Sequence, residues 1–350
     1  MNYTGAVTSD MQAISDFREL TQRMTYRIAG LPIVIDAQDS WAAHVIERLF
    51  SGWYLIPDSD ISSGPSAAEI VIGSTVTPPE IPRDWPQFEI AGEGTCYTDG
   101  ETSYIDIEGS IIAIARPGQS LVQVWTNGEL EVQSSTLTRV VTYALSIALR
   151  HRGFFELHSG AVVEPQSGRG VLIIGPSGSG KSTLTVQLAT AGWPFLTDDV
   201  LVLSSQDEAV KAWPIRRSFA ITSGTFEACE FLRSRISLDY REKLYGDKSQ
   251  FAPHDVFNSG FREHCVPARL FFTQLSGGTR SSVLQLSARE TMARLIRMSP
   301  WSCYDRTTAK DHLATLAALA KQSVGFSLDA GQDLLDTETS AGLIARYTRN

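Results

Sequence analysis

Residues 171 to 184 read Val-Leu-Ile-Ile-Gly-Pro-Ser-Gly-Ser-Gly-Lys-Ser-Thr-Leu, four apolar residues, a glycine-rich loop and the start of a helix. Strand, loop and helix in that order form the context in which Gly-x-x-x-x-Gly-Lys-Ser/Thr acts as a phosphate loop. Gly175, Pro176, Ser177, Gly178, Ser179, Gly180, Lys181 and Ser182 fill that motif, with Thr183 next. Glycine lets a backbone turn its N–H groups inward on an anion, and the helix that follows adds the positive end of its dipole. Lys181 is placed to reach the β- and γ-phosphates, and the Ser182 hydroxyl to ligate the magnesium that bridges them. An ordinary Gly/Ser turn has no need of every fixed position of the motif. The stretch therefore implies a nucleoside triphosphate site and an α/β fold around it.

Working outward, 350 residues exceed one small core and suggest two domains. The net charge of −9 argues against a nucleic-acid partner, which calls for a basic face. The cysteines, at 96, 229, 265 and 303, form no C-x-x-C pair, so neither a zinc site nor a disulfide framework is indicated. No apolar run reaches membrane-spanning length and no secretory leader is recognisable, so no membrane partner is expected and a reducing cytoplasm is the expected location.

Met11, Ile14, Phe17, Leu20 and Met24 stand at helical spacing and predict an amphipathic helix over 11–29. Leu31 to Ile35 predicts a strand, Ser40 a cap for a helix over Trp41 to Ser51, and Ala68 to Ile72 a second strand. Prolines 78, 79, 82 and 86 forbid regular structure between Gly73 and Pro86. From Phe88 to Gln133, Asp99-Gly100 and Asn127-Gly128 mark hairpin turns in a small, mostly antiparallel sheet. Trp41, Trp53, Trp85 and Trp125 read as core of that sheet rather than as a groove. Ser135 opens a helix stopped at Gly153, and the domain boundary is placed just before it: 1–133 as an amino-terminal α+β domain, 134–350 as the domain of the phosphate loop. Phe154 to Val163 predicts a buried strand and Phe195 to Leu203 a parallel neighbour of the loop strand. The polar, Arg/Lys-rich segment 212–267 suits a mobile lid or substrate loop. The remainder predicts a strand over Ala268 to Leu275, helices over Ala288 to Met298 and Asp305 to Gln322, a strand over Val324 to Leu328 and a last helix over Asp333 to Tyr347.

Phosphoryl transfer asks for a cradle, a cation and a group that accepts the incoming hydroxyl's proton. Asp198 and Asp199, on the strand after the loop helix, are the candidates for the third role. Neighbours on a regular strand face opposite ways, so both reach one site only if the strand breaks between them.

The segments Leu157-His158-Ser159-Gly160-Ala161-Val162-Val163, Gly170 to Gly175, the loop itself, and Leu196-Thr197-Asp198-Asp199 resemble the catalytic domain of the HPr kinase/phosphorylase family. The resemblance spans about residues 155 to 203 and implies a fold related to phosphoenolpyruvate carboxykinase. It further implies ATP and Mg2+ as cofactors, Asp199 as the base that deprotonates an acceptor serine, His158 beside it, Lys181 on the phosphates and Ser182 at the metal; Asp198 joins Ser182 at the metal if the strand ends between the two aspartates. Self-association is expected on the same ground. Two departures stand out: Trp213-Pro214-Ile215-Arg216-Arg217 replaces the family's glycine-rich, glutamate-containing stretch, and its dephosphorylation segment is not recognisable. What remains looks like the HPr kinase-like proteins of peptide-modification clusters, which phosphorylate a serine of a precursor peptide. That likeness implies Lys248 as a substrate or phosphate contact, and Arg216-Arg217, a local basic cluster, offers a further contact for an anionic substrate. A serine kinase of a peptide or small protein is thus the expectation. A small-molecule hydroxyl kinase and a slow or non-catalytic nucleotide switch stay open beside it.

Overall fold

The computed structural model describes residues 22–37, 56–57, 68–73, 79–90, 94–107, 109–119, 121–126, 135–205, 209–216, 218–236, 242–243, 248–299 and 301–349. Within them the chain is mixed α/β and divides into two compact units that part between His151 and Arg152.

The first unit holds a nine-stranded sheet. Gln22–Ile28 (β1) and Leu31–Ala37 (β2) form an antiparallel hairpin closed by Ala29 and Gly30, with φ of 51° and 79°. A two-residue loop with both φ positive matches the right-handed twist of the strands it joins. The helix expected over 11–29 is therefore corrected from residue 22 onward: Met24, Tyr26 and Ile28 recur at every second position, and pairing with β2 captures that period. Residues 11–21, the helix expected over Trp41 to Ser51, the second hairpin turn at Asn127-Gly128, Trp41, Trp53 and Arg217 lie outside the described residues. The remaining strands are Ile56–Pro57 (β3), Ala68–Gly73 (β4), Gln87–Ile90 (β5), Gly94–Thr98 (β6), Ser103–Ile107 (β7), Ile111–Arg116 (β8) and Leu121–Thr126 (β9). The order is β3-β1-β2-β4-β9-β8-β7-β6-β5, antiparallel except for β2–β4 and β4–β9. Asp99-Gly100 turns β6 into β7, with the Asp99 carboxylate accepting from the N–H groups of Glu101 and Thr102. Trp85 stands half-buried and edge-on to Tyr104.

Ser135–Arg150 (α1) packs on β8 and β9 through a buried stripe that includes Val141, Ala144, Leu145 and Ala148. That apolar face ties the helix to the first unit, so the compact units part after it, whereas the sequence places the boundary ahead of it. Gly153, at φ 80°, supplies the expected stop.

The second unit is built on an eight-stranded mixed sheet. Its strands are Phe154–Val163 (β10), Gly170–Ile174 (β11), Phe195–Thr197 (β12), Val200–Ser204 (β13), Lys211–Pro214 (β14), Pro267–Leu275 (β18), Ser282–Gln285 (β19) and Val324–Ala330 (β20), running β14-β13-β10-β11-β18-β20-β19 with β12 also on β10. β11, β18 and β20 are parallel, while β10 is antiparallel to β11, β12 and β13. Phe195 to Leu203 is thus not a direct parallel neighbour of the loop strand: β10 lies between, and the run is broken at Asp198-Asp199.

Every residue of β11 is buried, because both faces of this central strand are covered. Val171 and Ile173 join the core beneath Lys181–Thr190 (α2) and Thr337–Thr348 (α8). Leu172 and Ile174 join the opposite core, against Ala288–Arg297 (α5) and Ala309–Gln322 (α7), the latter packed by the short Trp301–Tyr304 (α6). A side chain added at Gly160 of β10 would collide with Thr185 Oγ1, so that glycine is what lets α2 lie down on the sheet.

Segment 212–267 is more built than a bare loop. Phe219–Thr222 (β15), Glu242–Lys243 (β16) and Lys248–Phe251 (β17) make a three-stranded sheet, and Ser223–Ala228 (α3) and Glu230–Arg235 (α4) follow β15. Phe219, Phe251 and Phe257 pack with Phe195 in one aromatic cluster, ring centroids 5.3 to 6.1 Å apart. No helix among the described residues is long and apolar enough to cross a membrane.

Candidate functional site

The turns after β11, β12, β18 and β20 all leave the sheet at one edge, since these strands run in the same direction. Ligands of open α/β sheets gather at the carboxyl ends of strands, so this edge is where a site is expected. The loop 175–180 lies at its middle. Gly178 and Gly180 hold φ of 78° and 91°, where only glycine is at ease. Gly175 is needed for space: a Cβ there would meet the Thr273 carbonyl oxygen at 2.7 Å and the Ser179 hydroxyl. Ser179 and Thr273 join hydroxyls at 3.1 Å, tying the loop to β18. Lys181 is buried and donates from Nζ to the carbonyls of Gly175 at 2.8 Å and Pro176 at 3.0 Å. Burial brings its pKa down to about 8; Asp199 works against that and Lys248 with it.

Asp198 and Asp199 bend out of the extended form between β12 and β13, and the bend brings both carboxylates to one place. Arg216 Nη2 reaches Asp198 Oδ1 at 3.4 Å and Asp199 Oδ2 at 3.1 Å. Asp198 has no exposed surface; it accepts from the Ala220 N–H at 3.1 Å and from the Ser182 hydroxyl. Full burial pushes its pKa up, against the pull of Arg216. Asp199 goes the other way: burial alone would raise it, yet Arg216 leads the cations that hold it down at about 2. His158, the β10 residue opposite Val200, places Nε2 3.1 Å from Asp199 Oδ1. Burial lowers its pKa to about 4, so at neutral pH the imidazole is uncharged and donates Nε2–H to the ionised carboxylate.

A cavity of about 430 Å3 is lined by Lys181, Ser182 and Asp199 of this group. The loop from Ser177 to Leu184 forms its floor. Asp199, Ala220, Thr222, Thr225 and Lys248 close one end, and Leu275, Gly277, Gly331 and Leu335 the other. Thr183 and Thr225 join hydroxyls at 2.9 Å, linking α2 to α3.

His158, Lys181, Ser182, Asp198 and Asp199 thus come together, and the residues expected at a magnesium are in contact with one another. A fully buried carboxylate facing a hydroxyl is an all-oxygen donor pair, the kind magnesium takes alongside waters and substrate phosphates. Among the described residues no cluster of three or more His, Cys, Asp or Glu forms a closed metal cage. Arg216, expected at a substrate, instead sits on the two aspartates, and Lys248 opens β17 at the cavity wall. Sequence reasoning missed the far wall at Leu275 to Gly278 and Ala330 to Leu335; the Gly277-Gly278 pair directly after a buried strand was the available signal.

No protein-family model matches the chain, and no curated protein does. Among the solved structures it is similar to is the HPr(Ser) kinase/phosphatase from Coxiella burnetii, at 18% identity and a TM-score of 0.22. That alignment covers 33% of this chain and 58% of the other, a weak neighbour that leaves the site to stand on its own geometry.

Proposed function

We propose that the protein is an ATP- and magnesium-dependent kinase that transfers the γ-phosphoryl group to the serine hydroxyl of a peptide or small protein. The observation that carries this reading is the Asp199 carboxylate on the wall of the same cavity whose floor is the phosphate loop, with uncharged His158 bonded to its Oδ1 and Lys181 at the loop. Backbone N–H groups of the loop and Lys181 would hold the triphosphate; Ser182 and Asp198 would hold magnesium, which would neutralise charge on the phosphates. Asp199 accepts the proton of the incoming hydroxyl, the hydroxyl oxygen attacks the γ-phosphorus, and the bond from that phosphorus to the bridging oxygen breaks to release ADP. A carboxylate at about 2 is a weak base, so its first task is to orient the hydroxyl. A bound triphosphate offers Arg216 a rival anion, and an Arg216 drawn towards it would leave Asp199 more basic. His158 fixes the carboxylate by its hydrogen bond.

A second reading, a kinase of a small hydroxyl compound, is favoured by one feature: Thr222, Thr225, Ala228 and Lys248 wall the Asp199 end of the cavity. Incubation with ATP, Mg2+ and panels of serine peptides and small alcohols, read by the mass gain of one phosphate, separates the two. Asp199→Asn is expected to lower transfer by about 10²-fold or more while nucleotide binding persists. Unchanged transfer in that variant refutes the assignment of Asp199, and nucleotide binding with no phosphorylated product on any acceptor leaves a switch.

A further inference from the structure

Of the five large apolar side chains exposed among the described residues, two line this one cavity: Leu275, 64% exposed, and Leu335, 43% exposed. Leu275 ends β18, and Leu335 closes the turn that leaves β20. The turns after these two strands are fastened into one wall. Ser276 N–H donates to the Ala330 carbonyl at 3.0 Å, Gln332 N–H to Gly278 at 3.0 Å, and Asp333 N–H to Thr279 at 3.1 Å. The Asp333 carboxylate in turn accepts from the Ser281 N–H at 2.9 Å. A Cβ at Gly331 would lie 2.6 Å from the Arg280 carbonyl carbon, so the turns touch backbone to backbone. The wall is therefore fixed, thin and nearly bare: Gly277, Gly278, Ala330 and Gly331 expose peptide planes between the two leucines.

Its position says what it faces. In the sheet order the acidic pair, on the β10 side of β11, and the two turns, on the β18 and β20 side, flank the phosphate loop from opposite directions. A triphosphate on that loop with its γ-phosphorus towards Asp199 must run its nucleoside end the other way. Leu275 marks the junction, since a Cβ added at Gly180 would lie 3.3 Å from Leu275 Cδ2.

We propose that the slot between Leu275 and Leu335 binds the nucleobase by its flat faces, and that it accepts adenine and guanine alike. This rests on the reading of 175–183 as the triphosphate site. A purine offers two apolar faces and a polar rim; the slot offers apolar side chains and peptide planes. Among the described lining residues at this end, the side chains able to pair with the rim of the ring are Gln332, which stands exposed, and Thr273, whose buried hydroxyl is already engaged with Ser179. Discrimination between bases requires buried polar groups that the wrong base leaves unpaired; beyond its own amides this wall supplies the Thr273 hydroxyl, which Ser179 already satisfies.

Binding of ATP, GTP and inorganic tripolyphosphate to the full chain, with Mg2+, tests the assignment. The wild type is expected to bind ATP and GTP within about three-fold of each other and both more tightly than tripolyphosphate. The double variant L275S/L335S, altered only at exposed positions, is expected to lose about ten-fold for both nucleotides, with tripolyphosphate within about two-fold of the wild type. Equal losses for all three ligands, ATP no tighter than tripolyphosphate in the wild type, or a preference for one base above about ten-fold overturns the slot and leaves the phosphate loop standing. Failure of the wild type to bind either a nucleotide or tripolyphosphate overturns the triphosphate site and the slot together.

Discussion

Lys181 shows how a single side chain responds to its surroundings. Its ammonium is buried, with its pKa down at about 8, and pairs with two carbonyls of its own loop. Phosphate binds the charged form, so a triphosphate bound as proposed would raise this pKa again. Affinity is accordingly full below pH 8 and declines above it, by at most the ten-fold per pH unit of a one-proton linkage. A titration of nucleotide affinity from neutral pH to pH 9 is expected to show that decline, and Lys181→Met to bind weakly with no bend near 8. His158 carries the opposite pH signature. Its pKa is about 4 in the folded chain and 6.5 for an unperturbed imidazole, so acid charges it first in the unfolded state. It adds nothing above 6.5 and takes stability away as pH falls from there towards 4.

At the level of elements, α2 does more than present the loop. Gln187, buried in its middle, donates to the Leu335 carbonyl and accepts from the Thr337 hydroxyl, so one amide pins the start of α8 and a wall of the cavity. Gln187→Leu fills the space and leaves that carbonyl and hydroxyl unpaired. It is expected to cost about 1–3 kcal/mol, measured by denaturant unfolding, with faster hydrogen exchange at residues 332 to 337. Such a clamp joins residues some 150 positions apart and leaves no local trace in the sequence. The elements that were legible are those whose signal is local. Val171 to Thr183 carries apolar run, turn glycines and helix start within a few residues, and Ser135 to Gly153 carries an apolar stripe with a stop. The break at Asp198-Asp199 was foreseen only as a condition, because periodicity runs unbroken through it; it is set by Arg216 and the Ala220 N–H, both brought in from beyond β14. Gln22–Ile28 misled for a related reason: a few apolar residues fit two periods, and only its partner strand chooses.

In the molecule as a whole, two units each own a sheet, and every described residue that lines the cavity belongs to the second. Saturating ATP with Mg2+ is therefore expected to slow amide exchange at 175–184, 275–278 and 330–335, with β6 to β9 of the first unit unchanged. Protection confined to the first unit's strands contradicts the placement of the nucleotide. Cys229 and Cys265 are buried free thiols, and burial pushes Cys265 up to about 12, so oxidation chemistry has little purchase on this part of the fold.

The carbonyls that hold Lys181 in the resting loop also act as a threshold. An anion that draws on Lys181 competes with the lysine's own backbone partners, and a lone orthophosphate or sulfate brings fewer contacts to that exchange than a polyphosphate. A polyphosphate chain touches the whole cradle at once and repays the exchange. If the loop is the triphosphate site proposed above, it is expected to bind tripolyphosphate more tightly than orthophosphate or sulfate.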